Sequence, residues 1–285
     1  MMHKKTHKKR KLSLSQRVAY SIVIGGALLM VLPLYMMFVF ATHTDLEILS
    51  MPAPLWFGNA FMDNLNNLLN RLPFFWTNLS ISLRAAGSTA LLQLLFCSLA
   101  GYAFAVMEFK FKDALFALLL STMLLPGFLN MIPNVLLIDW LGWMDRSIAL
   151  IGPASVSAFG IFLMRQYITK AVPRELLEAA RLDGCSSIGI YGRIVLPLVA
   201  PALAALGLIA FISSWNNVMA PLMTMHEMKN YTAPLALRSI VDRRGLPPLG
   251  ALFAAAALSA TPALLLFALC ARKLFQNLSM DSTAP

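Results

Sequence analysis

Six long apolar runs constrain this 285-residue chain more than any other feature of its sequence. A helix needs about 20 predominantly apolar residues to cross the hydrocarbon core of a bilayer. The third run contains Pro126 and Pro133, so a kink or break is expected within it. The runs predict an all-α fold, a polytopic membrane bundle of six transmembrane helices. They cover residues 18–41, 78–107, 114–137, 148–167, 198–223 and 249–271.

The composition agrees with a membrane location and excludes several other classes. Hydrophobic residues make up 59% of the chain and charged residues 13%, whereas soluble domains have about 45–50% and about 25%. High hydrophobicity also argues against intrinsic disorder. Cys97, Cys185 and Cys270 lie far apart and the four histidines form no cluster. Neither a disulfide framework nor a metal site is therefore predicted.

The basic residues indicate the orientation of the spans. Seven of them precede the first apolar run, and next to a span such a block is a topology signal rather than a nucleic-acid site. With both termini inside, sixteen of the 23 Lys and Arg residues face the cytoplasm, although the last outer loop departs from this rule. The sequence thus predicts a basic cytoplasmic tail at 1–17, a transmembrane domain at 18–273 and a cytoplasmic tail at 274–285.

The long cytoplasmic loop, residues 168–197, has the most regular local pattern. Pro173 suits the first position of a helix, and apolar residues at helical spacing follow it. Gly184 can end this helix by adopting a positive φ. Ser186 or Ser187 can then cap a second helix that runs to about residue 195. Helices this short need a surface to dock on, either their own bundle or another protein.

A pattern in this loop resembles a known family. Glu178-Ala179-Ala180 is followed after three residues by Gly184, which Asp183 precedes, and after nine more by Ile194-Val195-Leu196-Pro197. The pattern resembles the EAA loop of permease subunits of ATP-binding-cassette importers, and residues 168–197 are called the EAA loop below. An isolated Glu-Ala-Ala has no such specificity; the whole pattern between the fourth and fifth spans is specific.

Two further segments extend the resemblance. Gly101-Tyr102-Ala103-Phe104-Ala105 resembles a segment at the end of the family's second span. Trp215-Asn216-Asn217 with Pro221-Leu222 resembles a segment of its fifth span. Together they are similar to the second permease of carbohydrate importers, which take up maltose, other oligosaccharides or sn-glycerol-3-phosphate. The resemblance implies transport of a sugar or glycerol-phosphate solute across the bacterial inner membrane.

The resemblance also implies partners: a second permease, two ATPase subunits that bind ATP and Mg, and a periplasmic or extracellular solute-binding protein. Glu178 would pair with a basic residue of the ATPase, and its alternative is a surface pair with Arg181. No glycine is followed by lysine, so a phosphate-binding GxxxxGK[ST] loop is missing and this chain is expected to bind no cofactor and to be no enzyme. The ATPase-docking residues would be Glu178, Ala179, Ala180, Asp183, Gly184, Ile194, Leu196 and Pro197.

Polar residues within the spans indicate a substrate path, because polar groups there are costly and often functional. An Asn side chain both donates and accepts hydrogen bonds, which suits sugar hydroxyls, whereas Arg84 suits a phosphate. Helix–helix hydrogen bonds are the alternative role for the Asn residues, and contact with the membrane interface is the alternative for Arg84. The predicted path consists of Trp215, Asn216, Asn217, Asn130, Asn134 and Arg84.

Two other classes of membrane protein compete with this interpretation. An ion-coupled secondary carrier usually has internal repeats and acidic residues inside its spans, whereas Asp45, Glu108, Asp139 and Asp242 lie in or beside loops. A membrane enzyme would be expected to have a motif such as HExxH or GxSxG, and the sequence contains neither. The secondary carrier is kept as the alternative function.

Overall fold

The computed structural model describes residues 14–240 and 248–281, and it describes side chains at residues 15–240 and 248–269. The basic residues of the first 13 positions, Arg243 and Arg244, and the side chains of Arg272 and Lys273 lie outside these ranges. The orientation that rests on them stays a prediction.

Helices follow one another along the described chain, separated by turns and by a longer irregular stretch at residues 49–60. The first half contains α1 (Leu14–Phe40), α2 (Asp45–Ile48), α3 (Phe61–Arg71), α4 (Phe75–Val106), α5 (Lys112–Thr122), a 3₁₀ turn (Gly127–Asn130) and α6 (Met131–Trp140). The second half contains α7 (Ile148–Ala154), α8 (Ala158–Ala171), α9 (Arg174–Leu182), α10 (Ser187–Ile190), a π-helical turn (Tyr191–Val195), α11 (Leu196–Leu198), α12 (Ala200–Trp215), α13 (Met219–Thr224), a 3₁₀ turn (Met228–Asn230), α14 (Ala233–Arg238) and α15 (Leu249–Asp281).

Three helices, α1, α4 and α15, are each long and apolar enough to cross a bilayer, and three bent helix pairs can each form one more span. The all-α membrane fold is thereby confirmed. The break predicted in the third span is also confirmed: its two halves meet at 97° around Pro126. Bends of 43° between α7 and α8 and of 82° before α12 were not predicted. Pro201 in the first turn of α12 suits such a start, because a proline there costs no helical hydrogen bond.

The predicted boundaries are wrong at two spans. The fifth was expected to run to residue 223, but α12 ends at Trp215. Asn216 and Asn217 therefore lie outside the helix, where the Asn217 Oδ1 atom accepts a hydrogen bond from the Ala220 amide at 3.1 Å. Asn side chains compete in this way with helix continuation. The last helix runs to Asp281, past its predicted end at residue 271.

One compact unit comprises residues 68–240 and 258–281. At its centre α4 packs against α8 and α12. The core side chains are almost fully shielded from solvent, and they include Met164, Ile168, Val195, Val199 and Leu206, each at most 1% exposed. Gly101 of α4 lies directly on α8, since a Cβ atom added to it would be 2.6 Å from the Met164 Cβ atom.

The other unit comprises residues 14–67 and 248–257. The buried Asn64 side chain donates hydrogen bonds to the backbone oxygens of Ala41 and His43, both at 2.9 Å. The Asp45 carboxylate accepts a hydrogen bond of 2.7 Å from the Gly250 amide at the start of α15. These polar contacts connect residues far apart in sequence, and buried polar groups need such partners.

Asp145 joins two loops of the larger unit. It adopts a left-handed backbone conformation with φ 60°, and its Oδ1 atom accepts hydrogen bonds from the amides of His226 (3.0 Å) and Glu227 (3.3 Å). The Asn230 side chain donates to its backbone oxygen at 3.2 Å. Burial alone would raise the pKa of Asp145, but the hydrogen bonds from the His226 backbone, the Asn230 side chain and the Glu227 backbone together outweigh it, so the pKa lies below its usual value.

We expect Asp145→Asn to lower the thermal stability of the detergent-purified chain at pH 7. The amide keeps the shape of the carboxylate but loses the charge-assisted part of the hydrogen bonds. This loss lowers the free energy of unfolding by about 1 kcal/mol after allowance for solvent, which corresponds to a melting temperature about 2–4 °C lower.

The effect should depend on pH, because the pKa of Asp145 is lowered in the folded state. The stability that the carboxylate contributes is complete above the unfolded-state pKa, about 3.9, and is lost as the pH falls through the folded-state pKa. The difference in melting temperature from the wild type should thus persist at pH 5 and shrink only below about pH 4. The exposed Asp139→Asn is the control, and an equal loss there would contradict the role of Asp145.

Candidate functional site

The EAA loop begins with a short amphipathic helix, α9. Pro173 is extended, with φ −62° and ψ 139°, and the helix starts at Arg174, one residue later than predicted. Leu177 and Ala180 are buried and pack into the core of the larger unit. Glu178 and Ala179 are exposed on the other side. The helix is thus held by one face and presents the first two residues of the Glu-Ala-Ala sequence on the other.

The turn after α9 has the hydrogen bonds of a Schellman motif. Gly184 has a φ of +79°, its amide donates to the Arg181 oxygen, and the Cys185 amide donates to the Ala180 oxygen, both at 3.0 Å. These bonds satisfy carbonyl groups that the helix end leaves free. The prediction that Gly184 ends the helix with a positive φ is confirmed, and Asp183 is the last residue before the turn.

The second half of the EAA loop is less regular than predicted. Of the two predicted caps, Ser186 is the one used, because its Oγ atom accepts a hydrogen bond from the Gly189 amide at 3.2 Å. The helix then widens into the π-helical turn before the bend. Ile194 and Leu196 are partly buried against the core, whereas Pro197 is exposed. A π-helical turn often marks a functional site within a helix.

The end of α4 holds the EAA loop in place. The Tyr102 hydroxyl donates to the Ser187 oxygen at 3.1 Å, and the hydroxyls of Ser98 and Tyr191 are 2.7 Å apart. Arg181 donates to the Val106 oxygen at 3.4 Å. Gly101-Tyr102, one of the segments that resemble the importer permeases, therefore contacts the EAA loop, although 85 residues separate Tyr102 from Ser187.

The outward face of the loop combines a charge with exposed apolar groups. Leu182 is 89% exposed and Ile188 is 80% exposed, and Glu178 and Ala179 are exposed on the same helix as Leu182. Among the described residues the ion pairs are Lys112–Glu108 and Lys229–Glu227, so the surface pair of Glu178 with Arg181 is not formed. The Glu178 carboxylate is therefore available to a partner.

Two adjoining pockets of the larger unit share Leu150, Ala154, Asn217 and Ala220. The first has a volume of about 130 Å³, and polar uncharged side chains contribute much of its lining. These side chains are Ser82, Thr89, Gln93, Ser213, Ser214, Asn217 and Thr232. The second has a volume of about 310 Å³ and a mostly apolar lining that includes Asn134.

The structure brings together only two of the predicted substrate-path residues. Asn134 and Asn217 line the second pocket. Asn130 is exposed in a 3₁₀ turn, and Asn216 is exposed at the end of α12. The remaining two also lie apart from the lining. Trp215 is buried and stacks on Phe211, with ring centroids 5.4 Å apart, and Arg84 is exposed and donates to the Ser80 oxygen at 3.3 Å.

Several residues that line the first pocket are not among the substrate-path residues predicted from the sequence. Ser82, Thr89 and Gln93 fall on one face of α4, because positions seven and eleven residues apart are aligned on a helix. This polar stripe within an apolar span is a signal that the sequence contains. No comparable pattern in the sequence marks Thr232. It lies between two short helices, and only the three-dimensional fold brings it to the pocket.

Comparison with known sequence families identifies the family of the chain. Residues 98–279 match the sequence family described as the binding-protein-dependent transport system inner membrane component. The chain belongs to this family. The match includes the EAA loop and the segment of α4 that contacts it.

The relatives of this chain are named for transport of different solutes. The chain is 34% identical to the arabinooligosaccharide transport permease AraQ of Halalkalibacterium halodurans, over 65% of this chain and 66% of that one, and so spans about two thirds of its length. It is 30% identical to the lactose transport permease LacG of Rhizobium radiobacter, over 92% and 94%. It is 31% identical to the sn-glycerol-3-phosphate permease UgpE of Yersinia enterocolitica, over 79% and 82%.

The fold also matches a solved structure. A chain of a bacterial ABC transporter involved in the import of the acidic polysaccharide alginate superimposes with a TM-score of 0.78, at 19% identity, over 93% of this chain and 99% of that chain. At this identity the similarity concerns the fold alone.

Proposed function

We propose that the chain is a permease subunit of an ATP-binding-cassette importer and that an ATPase subunit docks on its EAA loop. The observation that carries the proposal is the outward face of α9 and the following turn. Leu182 and Ile188 are large apolar side chains left almost fully exposed, and Glu178 and Ala179, close by in sequence, are exposed too. Apolar residues around a charge are a suitable surface for another protein, since interfaces combine apolar cores with a few defined polar contacts.

The contacts of the loop indicate how a movement of the ATPase would reach the spans. Tyr102 and Ser98 bind the loop to the end of α4, and the same helix lines the first pocket with Thr89 and Gln93. When the ATPase subunits close on ATP, the EAA loops of the two permeases would be drawn together. Rigid-body rotation of α4 and the helices packed on it would then open the interior to the other side of the membrane.

The remaining parts of the importer are assigned to other chains. ATP and Mg would bind the ATPase subunits, because this sequence has no glycine-lysine pair and hence no phosphate-binding loop of the GxxxxGK[ST] kind. A second permease would complete the membrane pathway, and a solute-binding protein would deliver the solute. With both termini in the cytoplasm, the EAA loop faces the ATPase side.

The solute is proposed to be of the sugar or glycerol-phosphate type, as the names of the relatives indicate. The proposed role is non-catalytic. The alternative, an ion-coupled secondary carrier, would function without an ATPase and would not need an exposed EAA loop.

Isolation of the tagged full-length chain in mild detergent, followed by mass spectrometry, tests the assembly. We expect a second six-span permease and an ATPase with a GxxxxGK[ST] sequence to copurify with the wild type. Glu178→Lys is expected to retain the permease and to lose the ATPase. The control is Glu108→Lys, the same charge reversal at another exposed glutamate. It also breaks the ion pair with Lys112, which contributes little at an exposed site, and it should retain both partners. Recovery of the chain alone, under conditions that preserve known importers, would contradict the proposal and favour the secondary carrier.

A further inference from the structure

Residues 46–57, which follow the first span, combine an apolar composition with high exposure. Glu47 is the one charged residue among them, and its carboxylate already accepts hydrogen bonds from the Thr44 amide at 2.9 Å and the Thr44 hydroxyl at 3.0 Å. Six large apolar side chains of the segment are between 58% and 98% exposed, and they are Leu46, Leu49, Met51, Leu55, Trp56 and Phe57. Exposed apolar side chains grouped in this way indicate contact with a membrane or with another protein.

The segment folds back along α1. The Tyr35 hydroxyl donates to the Leu55 oxygen at 2.7 Å, and the rings of Tyr35 and Phe57 meet edge to face with centroids 5.9 Å apart. The next residue, Gly58, donates its amide to the Thr42 hydroxyl at 2.8 Å. Tyr35 precedes the end of α1 by five residues, which is about 7.5 Å along a helix axis. The end of the segment therefore lies beside the last turns of α1 and not beyond them.

The length of α1 gives the depth of this contact in the membrane. The apolar part of the helix begins at Val18, and every side chain from there to Leu34 is exposed, as expected of a helix surrounded by lipid. These 17 residues span about 26 Å, close to the thickness of about 30 Å of the hydrocarbon core. Tyr35 then lies at the boundary between acyl chains and headgroups, where Tyr and Trp side chains are enriched.

The backbone of the segment fits this level of the membrane. Non-helical backbone in contact with lipid does not occur within the hydrocarbon core, because its polar groups would lack partners there. At the interface, water and headgroups supply those partners. The position beside Tyr35 thus allows an irregular chain to expose apolar side chains such as Trp56 to lipid.

We propose that residues 46–57 are an interfacial anchor, whose apolar side chains insert among the headgroups and the upper parts of the acyl chains at the end of α1. The bilayer is the favoured occupant, because the segment continues the exposed apolar surface of α1 and carries no charge from Ile48 to Phe57. Interfacial elements of this kind bury their apolar groups about 5–10 Å into the membrane surface. The anchor lies outside the EAA loop and does not rest on the proposed importer function.

Depth-dependent fluorescence quenching tests the anchor in the full-length chain, reconstituted in phosphatidylcholine nanodiscs with any chains that copurify. Cys185 and Cys270 are replaced by alanine, the buried Cys97 is kept, and a bimane probe is attached at Met51→Cys. Met51 is almost fully exposed, so the substitution removes no packing. The quenchers are phosphatidylcholine brominated close to the headgroup, phosphatidylcholine brominated near the acyl-chain ends, and aqueous iodide.

We expect the lipid brominated close to the headgroup to quench the probe at residue 51 most, and a probe at Leu49→Cys to give the same order. Leu28→Cys, within α1, is the control for the hydrocarbon core and should be quenched most by the deeply brominated lipid. Asn66→Cys, an exposed position of α3, is the control for water and should be quenched most by iodide. The parent without an added cysteine gives the background.

Three results would overturn the inference. Quenching by iodide alone would mean that the segment lies in water, and strongest quenching by the deeply brominated lipid would place it in the hydrocarbon core. Resistance to all three quenchers would mean that another protein covers the segment, for example a second permease or a solute-binding protein. None of these results bears on ATPase docking, which Glu178→Lys tests separately.

Discussion

Glu178→Lys is expected to lower solute uptake at least tenfold while the chain still inserts in the membrane and joins its partner permease. Glu178 lies on the exposed face of α9, away from the buried Leu177 and Ala180 that hold the helix. The reversal therefore removes no core contact. In an interface, however, a reversed charge would face the basic residue that Glu178 is proposed to pair with. Loss of such a pair costs about 2–5 kcal/mol, so coupled uptake should fall at least tenfold.

ATP hydrolysis and uptake measured together on the reconstituted importer would reveal the uncoupling. With the ATPase added in equal amounts to the wild-type and the variant permeases, the wild type should hydrolyse ATP faster when solute-loaded binding protein is present. Glu178→Lys should lose this stimulation together with uptake. Glu108→Lys changes the net charge by the same amount at an exposed site outside the EAA loop, and it should behave like the wild type. Normal uptake by Glu178→Lys would refute the docking role of the loop.

The sequence predicts well those features that depend on neighbours along the chain. The apolar runs specify the spans, and Gly184 ends α9 because the turn requires a positive φ that glycine adopts without strain. The same reasoning located the break at Pro126. Helix ends are harder to predict where a polar side chain can bond to the backbone in place of the next helical hydrogen bond. Asn217 accepts the Ala220 amide, and the helix it was placed in ends before it.

Features that depend on distant residues could not be predicted from local patterns. Ser98 meets Tyr191 across 93 positions, and Ala233 donates to Ser82 across 151. Thr232 reaches the first pocket through such contacts, and no spacing along the chain pairs it with Thr89. Motif resemblance identified the EAA loop and the end of α4 separately, whereas their direct contact through Tyr102 became apparent only in three dimensions.

Gly101→Ala is expected to destabilise the larger unit strongly, although the change adds only one methyl group. A Cβ atom at this position would lie 2.6 Å from the Met164 Cβ atom and 2.9 Å from the Arg165 backbone nitrogen. Neither atom is the end of a flexible side chain, so α4 and α8 must separate. Overpacking of this kind costs about 1–3 kcal/mol. We expect a cost in the upper part of this range, because the Arg165 nitrogen belongs to the backbone and cannot move aside easily. Such a cost corresponds to a melting temperature lower by about 5–10 °C.

The matched control lies on the same helix. Gly87 also belongs to α4, but a Cβ atom added there would meet no atom within 4 Å. Gly87→Ala should therefore leave the melting temperature unchanged or raise it slightly, since alanine favours a helix over glycine by about 1 kcal/mol. Because Tyr102, the next residue after Gly101, holds the EAA loop, Gly101→Ala should also reduce coupled uptake. If both variants melted like the wild type, the close contact of α4 with α8 at Gly101 would be contradicted.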